Sequence, residues 1–169
     1  MSSIPHPDSQ PQAVNCAAIT LSDTRTRETD RSGGLIRQFL ADAGHSVVEY
    51  AILKDDPRLI QTQLQNLGQR LDVDAIILNG GTGIAPRDTT YDAIAALLEK
   101  TLPGFGEIFR VLSYQEIGSR AIASRAIAGV YRAKLVFSIP GSSGAVKLAM
   151  QQLILPELIH LTQQLHQQP

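Results

Sequence analysis

AIILNGGTGIAPRDTTYDAI, from Ala75 to Ile94, is the stretch that decides the fold. Ala75 to Leu78 is an apolar run of strand length, and Tyr91, Ile94, Ala95 and Leu98 recur at helical spacing. Between them lies a loop holding Gly80, Gly81, Thr82 and Gly83, followed by Arg87 and Asp88. Glycine reaches backbone conformations closed to other residues, so such a loop can turn its N–H groups onto an oxyanion at the positive end of the following helix. A phosphate is the natural guest. The spacing is neither GxGxxG nor the GxxxxGK(S/T) of Walker loops, which removes the usual warrant for a Rossmann or Walker site. Glycine clusters are more often plain tight turns, but three glycines with Thr82, Arg87 and Asp88 exceed what a turn needs.

Outward from this centre the same alternation repeats. Val14 to Leu21 (VNCAAITL) reads as a buried strand, followed by a polar loop from Ser22 to Gly34. Ile36, Phe39, Leu40 and Ala43 then mark one face of a helix that stops at Gly44. His45 to Leu53 is a second strand, and Asp55, Asp56 and Pro57 open a second helix with Ile60, Leu64, Leu67 and Leu71 as its buried stripe. Further on, Thr101 to Gly106 reads as a turn. Glu107 to Ile117 reads as a short helix facing the core with Ile108, Val111 and Leu112, and Phe109 as a further candidate. Ala121 to Tyr131 is ambiguous, its second half reading as an edge strand. Lys134 to Ile139 is a firm strand, and Pro140, Gly141, Ser142, Ser143 and Gly144 form a second strand-to-helix turn. The last helix runs to about His166, kinked or restarted at Pro156, with apolar residues on more than one face. This pattern predicts a single three-layer α/β/α domain around a mostly parallel sheet, spanning residues 13–169 behind a flexible tail of residues 1–12. Ligands of such sheets bind at strand carboxyl ends, so Ser22 to Ser32, Lys54 to Asp56, Asn79 to Asp88 and Pro140 to Ser143 should line one crevice.

Composition narrows the classes. With 15 basic against 16 acidic residues and no block of like charge, a nucleic-acid-binding tail or a membrane-surface patch is not expected. No run approaches the roughly eighteen apolar residues of a membrane helix, and no signal peptide is visible at the amino terminus. Cys16 is single and sits in an apolar strand, as a small core residue would, and a reducing cytoplasm fits best. The four histidines are scattered without zinc-ligand spacing, so no structural metal is expected.

Three aspartates compete between structural and functional roles. Asp30 or Ser32 can cap the first helix, and that is the commoner duty of such a residue. Asp56 before Pro57 is a good N-cap, leaving its case evenly divided. Thr89 and Asp92 form a capping-box pattern, which leaves Asp88 without an obligatory structural duty and tilts it toward function. Carboxylates beside a polyphosphate imply magnesium.

Six segments, LSDTR (Leu21 to Arg25), DRSGG (Asp30 to Gly34), NGGTGIAPRDTT (Asn79 to Thr90), GFGEIFRVLSYQEIG (Gly104 to Gly118), SRAIAG (Ser124 to Gly129) and PGSSGAV (Pro140 to Val146), together resemble the MoaB/MogA family of molybdenum cofactor biosynthesis. SYQEIG leans toward the MoaB branch. The resemblance implies molybdopterin adenylyltransfer, in which the terminal phosphate of molybdopterin attacks the α-phosphate of Mg-ATP and pyrophosphate leaves. By position it places the two essential acidic residues, with the Mg2+ they would hold through ATP phosphates, on Asp56 and Asp88. The phosphate cradle falls on Gly80, Gly81, Thr82 and Gly83. Ser22, Asp23, Asp30, Ser32, Gly33, Arg87, Gly141, Ser142 and Ser143 are the further substrate-binding candidates. It also implies a trimer, or a hexamer of paired trimers, and contact with other molybdenum cofactor biosynthesis proteins. Tyr91 stands where family members commonly carry proline, and some MoaB-branch proteins lack the arginine-aspartate pair kept here as Arg87 and Asp88. A pterin-binding or regulatory homologue without turnover is therefore the alternative.

Overall fold

The computed structural model describes residues 12–166. The expected tail, apart from Gln12, and the last three residues lie outside that range. Strands β1 (Asn15–Leu21), β2 (Ser46–Leu53), β3 (Ala75–Asn79) and β6 (Lys134–Ile139) run parallel in the order β2-β1-β3-β6. Two antiparallel strands, β5 (Ile127–Tyr131) and β4 (Lys100–Thr101), extend the sheet beyond β6. Every residue of β3 is buried, as befits the strand that lies between two parallel neighbours.

Alternate residues of the strands feed two cores. Cys16, Ala18, Ala75, Ile77, Leu135 and Phe137 face one layer, built from helices α1 (Arg31–Asp42), α4 (Pro103–Ile117), α5 (Ser143–Ala149) and α6 (Leu155–His166). Ala17, Ile19, Ile76, Leu78 and Val136 face the other, where α2 (Pro57–Gln69) packs Ile60, Leu64 and Leu67 and α3 (Thr90–Ala95) packs Ala93 and Ile94. This is the expected three-layer α/β/α arrangement. Cys16 is fully buried, and burial, with the charge of Asp74 nearby, pushes its thiol up to about 12.

Several local expectations are corrected. Pro103 opens α4, so the segment read as a turn to Gly106 is that helix's first turn, with proline where its missing N–H costs nothing. The core-facing side of α4 is Gly106, Phe109 and Ser113, while Ile108 and Val111, expected inside, are about half exposed. Leu71 is 98% exposed because α2 ends before it. β5 is covered by β4, so the two-residue β4 and not β5 forms that edge. A short edge strand offers little unpaired backbone to another chain. A 3-10 helix (Gly118–Ala123) fills the ambiguous stretch before β5. The last helix is interrupted by a π-helical turn (Met150–Ile154) just before Pro156.

Candidate active site

The loops after β1, β3 and β6 line one cleft, but the single crevice expected of four loops is divided in two: the loop after β2 reaches only a second recess, through Asp55, and Lys54 and Asp56 line neither. Leu21, Ser22, Thr24 and Arg25 after β1, Gly80 to Gly83 after β3, and Pro140, Gly141 and Ser142 after β6 line an open cleft of about 540 Å³. Its opposite wall was not foreseen. It comes from α4 and the 3-10 helix: Phe109, Ser113, Ile117, Arg120, Ala123 and Ser124. A second, smaller recess of about 140 Å³ lies on the other side of the glycine loop, lined by Asp23, Asp55, Arg87 and Asp88. Leu21, Ser22, Thr24 and Gly81 line both.

The glycine loop has the geometry its composition implies. Gly80 and Gly81 hold φ of 104° and 62°, in the left-handed region that favours glycine. A β-carbon at Gly80 would run into the Leu21 carbonyl, and one at Gly81 into Thr90 and Asp55. The backbone N–H of Gly80 donates to the Ile139 carbonyl at 3.0 Å, tying the loop to β6. Helix α3 has only six residues and Thr89 makes no side-chain cap bond, so the capping box is not formed. Helix dipole therefore adds less here than the spacing suggests.

Buried polar contacts hold the β1 side. Asp30 is buried and caps α1, its Oδ1 accepting from the Gly33 N–H at 2.9 Å, while its Oδ2 accepts from the hydroxyls of Thr20 (2.6 Å) and Tyr50 (2.7 Å). Burial, with the hydrogen bond to Asp30 and the charge of that carboxylate, pushes the Tyr50 phenol up to about 12. Asp30 also faces the Arg25 guanidinium at 3.7 Å. Arg25 in turn donates to the Gly141 carbonyl at 2.9 Å, which Ser32 Oγ also reaches at 2.6 Å. Asp30, Ser32 and Gly33 thus build the frame behind the cleft, whereas Arg25, absent from the sequence-based candidates, lines it. Gly33 is close-packed, since a β-carbon there would strike Asp30 and Thr20. Ser142 lines the cleft and caps α5 by accepting from the Ala145 N–H; Ser143, the first residue of α5, does not line it.

The two acidic candidates part company. Asp88 lines the small recess, its Oδ2 accepting from the Ala85 N–H at 3.0 Å. Asp56 does not reach it: exposed, it caps α2 by accepting from the Arg58 N–H at 2.8 Å and from the Leu59 N–H at 3.4 Å. Its neighbour Asp55 is the carboxylate turned into the recess, accepting from Thr90 Oγ1 at 2.9 Å. Partial burial, opposed by that hydrogen bond and reinforced by the like charges of Asp88 and Asp23, raises the Asp55 pKa above its ordinary value of 3.8. The Asp-Asp-Pro spelling hid this, because the cap signal belongs to the second aspartate and the strand-end position to the first. Among the described residues, no group of three or more histidine, cysteine or carboxylate side chains could hold a metal ion on its own. Three like charges around a small recess nevertheless suit a cation that brings most of its ligands with it.

A glycine loop at strand ends, with serines and arginines in the larger recess and carboxylates in the smaller, places the candidate site of this α/β protein at the carboxyl edge of its parallel strands. A family model described as a probable molybdopterin binding domain matches residues 17–160. Molybdenum cofactor biosynthesis protein B of Halalkalibacterium halodurans is 56% identical over 161 residues, covering 95% of both chains. A crystal structure of a molybdenum cofactor biosynthesis protein B superposes with a TM-score of 0.92 at 54% identity, covering 95% of this chain and 100% of that one. The tungsten cofactor synthesizing protein MoaB from Pyrococcus furiosus follows at 0.83 and 34% identity, covering 94% and 100%. The chain belongs to the MoaB/MogA family of molybdenum cofactor biosynthesis proteins.

Proposed function

We propose that this protein works in molybdenum cofactor biosynthesis as a molybdopterin adenylyltransferase. The observation that carries the reading is the pair of recesses sharing Gly81 and Ser22, one lined by arginines and serines and the other by carboxylates. In this reading the larger cleft takes molybdopterin with its terminal phosphate against the Gly80 to Gly83 backbone, and the smaller one takes the polyphosphate of Mg-ATP. A phosphate oxygen of molybdopterin attacks the α-phosphorus of ATP. The bond to the bridging oxygen breaks, and pyrophosphate leaves. Such a transfer asks the protein for alignment and charge neutralisation, not for a covalent nucleophile.

Each residue then has a defined task. The N–H groups of Gly81 to Gly83 hold one phosphate, that of Gly80 being committed to Ile139, and Arg25, itself pinned by Asp30 and the Gly141 carbonyl, offers a cation that is already oriented. Asp55 and Asp88 would hold Mg2+ through ATP phosphates, the ion supplying charge neutralisation on the transferred group. A cation held there would also offset the burial and the neighbouring like charges that raise the Asp55 pKa. Arg87 lines the same recess and complements the phosphate charge. The glycine loop and the serine hydroxyls grip the anionic tail more firmly than the flat ring, for which Phe109 is the aromatic side chain in the cleft wall.

The reading includes a homo-oligomer, a trimer or a hexamer, in the cytoplasm. Ile108, Val111, Tyr114, Ile117 and Ile122 leave an apolar strip exposed along α4 and the 3-10 helix, which suits contact between copies. Among the described residues no helix is long and apolar enough to cross a membrane. The deciding experiment is a pyrophosphate assay with molybdopterin and Mg-ATP, separately and together. Release only with both substrates is expected. Molybdopterin binding without any release would replace the enzyme reading by that of a pterin-binding homologue.

A further inference from the structure

We infer that Arg125 is a positioning residue that clamps the glycine loop and the start of α3 into one rigid unit, a role that rests on the phosphate-handling reading of that loop. Between Gly81 and Asp88 the chain forms no regular secondary structure. Its internal ties there are the Asp88 N–H to the Ala85 carbonyl at 2.8 Å and the Ala85 N–H to Asp88 Oδ2 at 3.0 Å. Both lie in the second half of the loop, beyond the cradle. The end of the cradle itself is held from outside: Arg125 Nη1 donates to the Gly83 carbonyl at 3.4 Å. The same guanidinium donates through Nη2 to Asp92 Oδ1 at 2.7 Å and lies 4.3 Å from the centroid of the Tyr91 ring. One planar side chain thus joins three residues of the 83–92 segment.

The absence of a cap on α3 makes this external hold consequential. Thr89 makes no side-chain cap bond, and its Oγ1 is buried without a hydrogen-bond partner. A six-residue helix with no cap of its own gains little from propagation and depends on tertiary contacts to stay formed. Arg125 follows Ser124, which lines the larger cleft, so the wall of that cleft and the far end of the cradle are linked through one residue. The pair with Asp92 is exposed on the carboxylate side, at 68%, and such pairs add little to global stability. Its effect is local. It sets where the backbone of Gly83, and with it Arg87 and Asp88, stands relative to Gly81. A lysine cannot do the same, because a single ammonium lacks the flat fork needed to reach carboxylate and carbonyl while lying over a ring.

The test is amide hydrogen exchange on the full chain, with Mg-ATP binding measured by calorimetry. Arg125→Ala is expected to speed exchange at residues 81–95 by about tenfold or more while the amides of β1, β3 and β6 keep wild-type protection. Mg-ATP affinity should drop in parallel. Arg125→Lys should fall between the two, and adding Asp92→Asn to Arg125→Ala should change nothing further. A purely structural role would lower protection throughout the sheet instead. Unchanged exchange at residues 81–95 in Arg125→Ala would overturn the inference, and so would faster exchange with wild-type Mg-ATP affinity. Wild-type protein that failed to bind Mg-ATP would count against the adenylyltransferase reading alone, with the exchange comparison still deciding the clamp.

Discussion

Asp55 and Asp56 are adjacent in sequence and opposite in consequence, so substituting each in turn separates a site carboxylate from a helix cap. For Asp56 the structure limits the loss. Proline occupies the next position and has no N–H, the bond to Arg58 N is 2.8 Å and well formed, and that to Leu59 N is 3.4 Å. One good cap bond puts Asp56→Ala near the middle of the usual range for caps, about 1 kcal/mol. For a domain of this size that lowers Tm by about 2–4 °C. Turnover should be unchanged, since Asp56 lines neither recess. Asp55→Asn behaves the other way. An amide oxygen still accepts from Thr90 Oγ1, so the local packing survives. The folded-state pKa of Asp55 is raised, so its ionised form opposes folding, and that penalty grows as pH rises above 3.8. Removing the charge should therefore leave Tm at pH 7 equal or higher, while molybdopterin-dependent pyrophosphate release falls by about 10²-fold or more. Thermal denaturation and the pyrophosphate assay on both purified variants give the answer. Loss of turnover in Asp56→Ala together with full turnover in Asp55→Asn would refute the assignment.

Two other outcomes are expected. His45 Nδ1 accepts from the Val14 N–H at 3.2 Å, and burial lowers its pKa below the ordinary 6.5, so the fold favours the neutral ring. Its contribution is complete above pH 6.5 and lost as pH falls below that value; His45→Gln should flatten the decline in urea midpoint between pH 7 and pH 5, and an equally steep decline would exclude His45 as its source. Val111→Glu with Tyr114→Glu places charge on the exposed strip of α4, and light scattering should then report smaller particles than for the wild type, for which an oligomer is proposed. An unchanged particle mass would move the subunit contact elsewhere.

How far the sequence reached depended on whether one signal or two occupied a residue. Three of the parallel strands, β1, β3 and β6, were plain because both their faces are buried, which writes them as nearly unbroken apolar runs, whereas β2 at the sheet edge is only partly buried and carries Ser46 and Glu49. The glycine loop was equally plain, since left-handed backbone at Gly80 and Gly81 restricts the residue type. Asp56 was ambiguous because a cap and a ligand draw on the same side chains, and the structure shows the cap. In α4 the apolar residues run round most of the helix, so periodicity could not say which face meets the sheet, and Phe109 won over Ile108 and Val111. The Thr89-Asp92 capping box is not formed: Thr89 makes no cap bond, and the Asp92 carboxylate pairs with Arg125, a partner distant in sequence that no local pattern announces. β4 is two residues long, below any pattern.

The cleft has two walls of different origin. The side that carries the glycine loop is assembled from strand ends far apart in sequence and tied together by Gly80, Arg25 and Ser32, so change there disturbs the whole domain. The facing side, from Phe109 to Ser124, is one unbroken piece of chain at the rim. Drift within that piece can reshape one side of the cleft while the strand-end side stays put. A fold divided in this way can change the form of its cleft through one short segment, without rebuilding the loops at the strand ends.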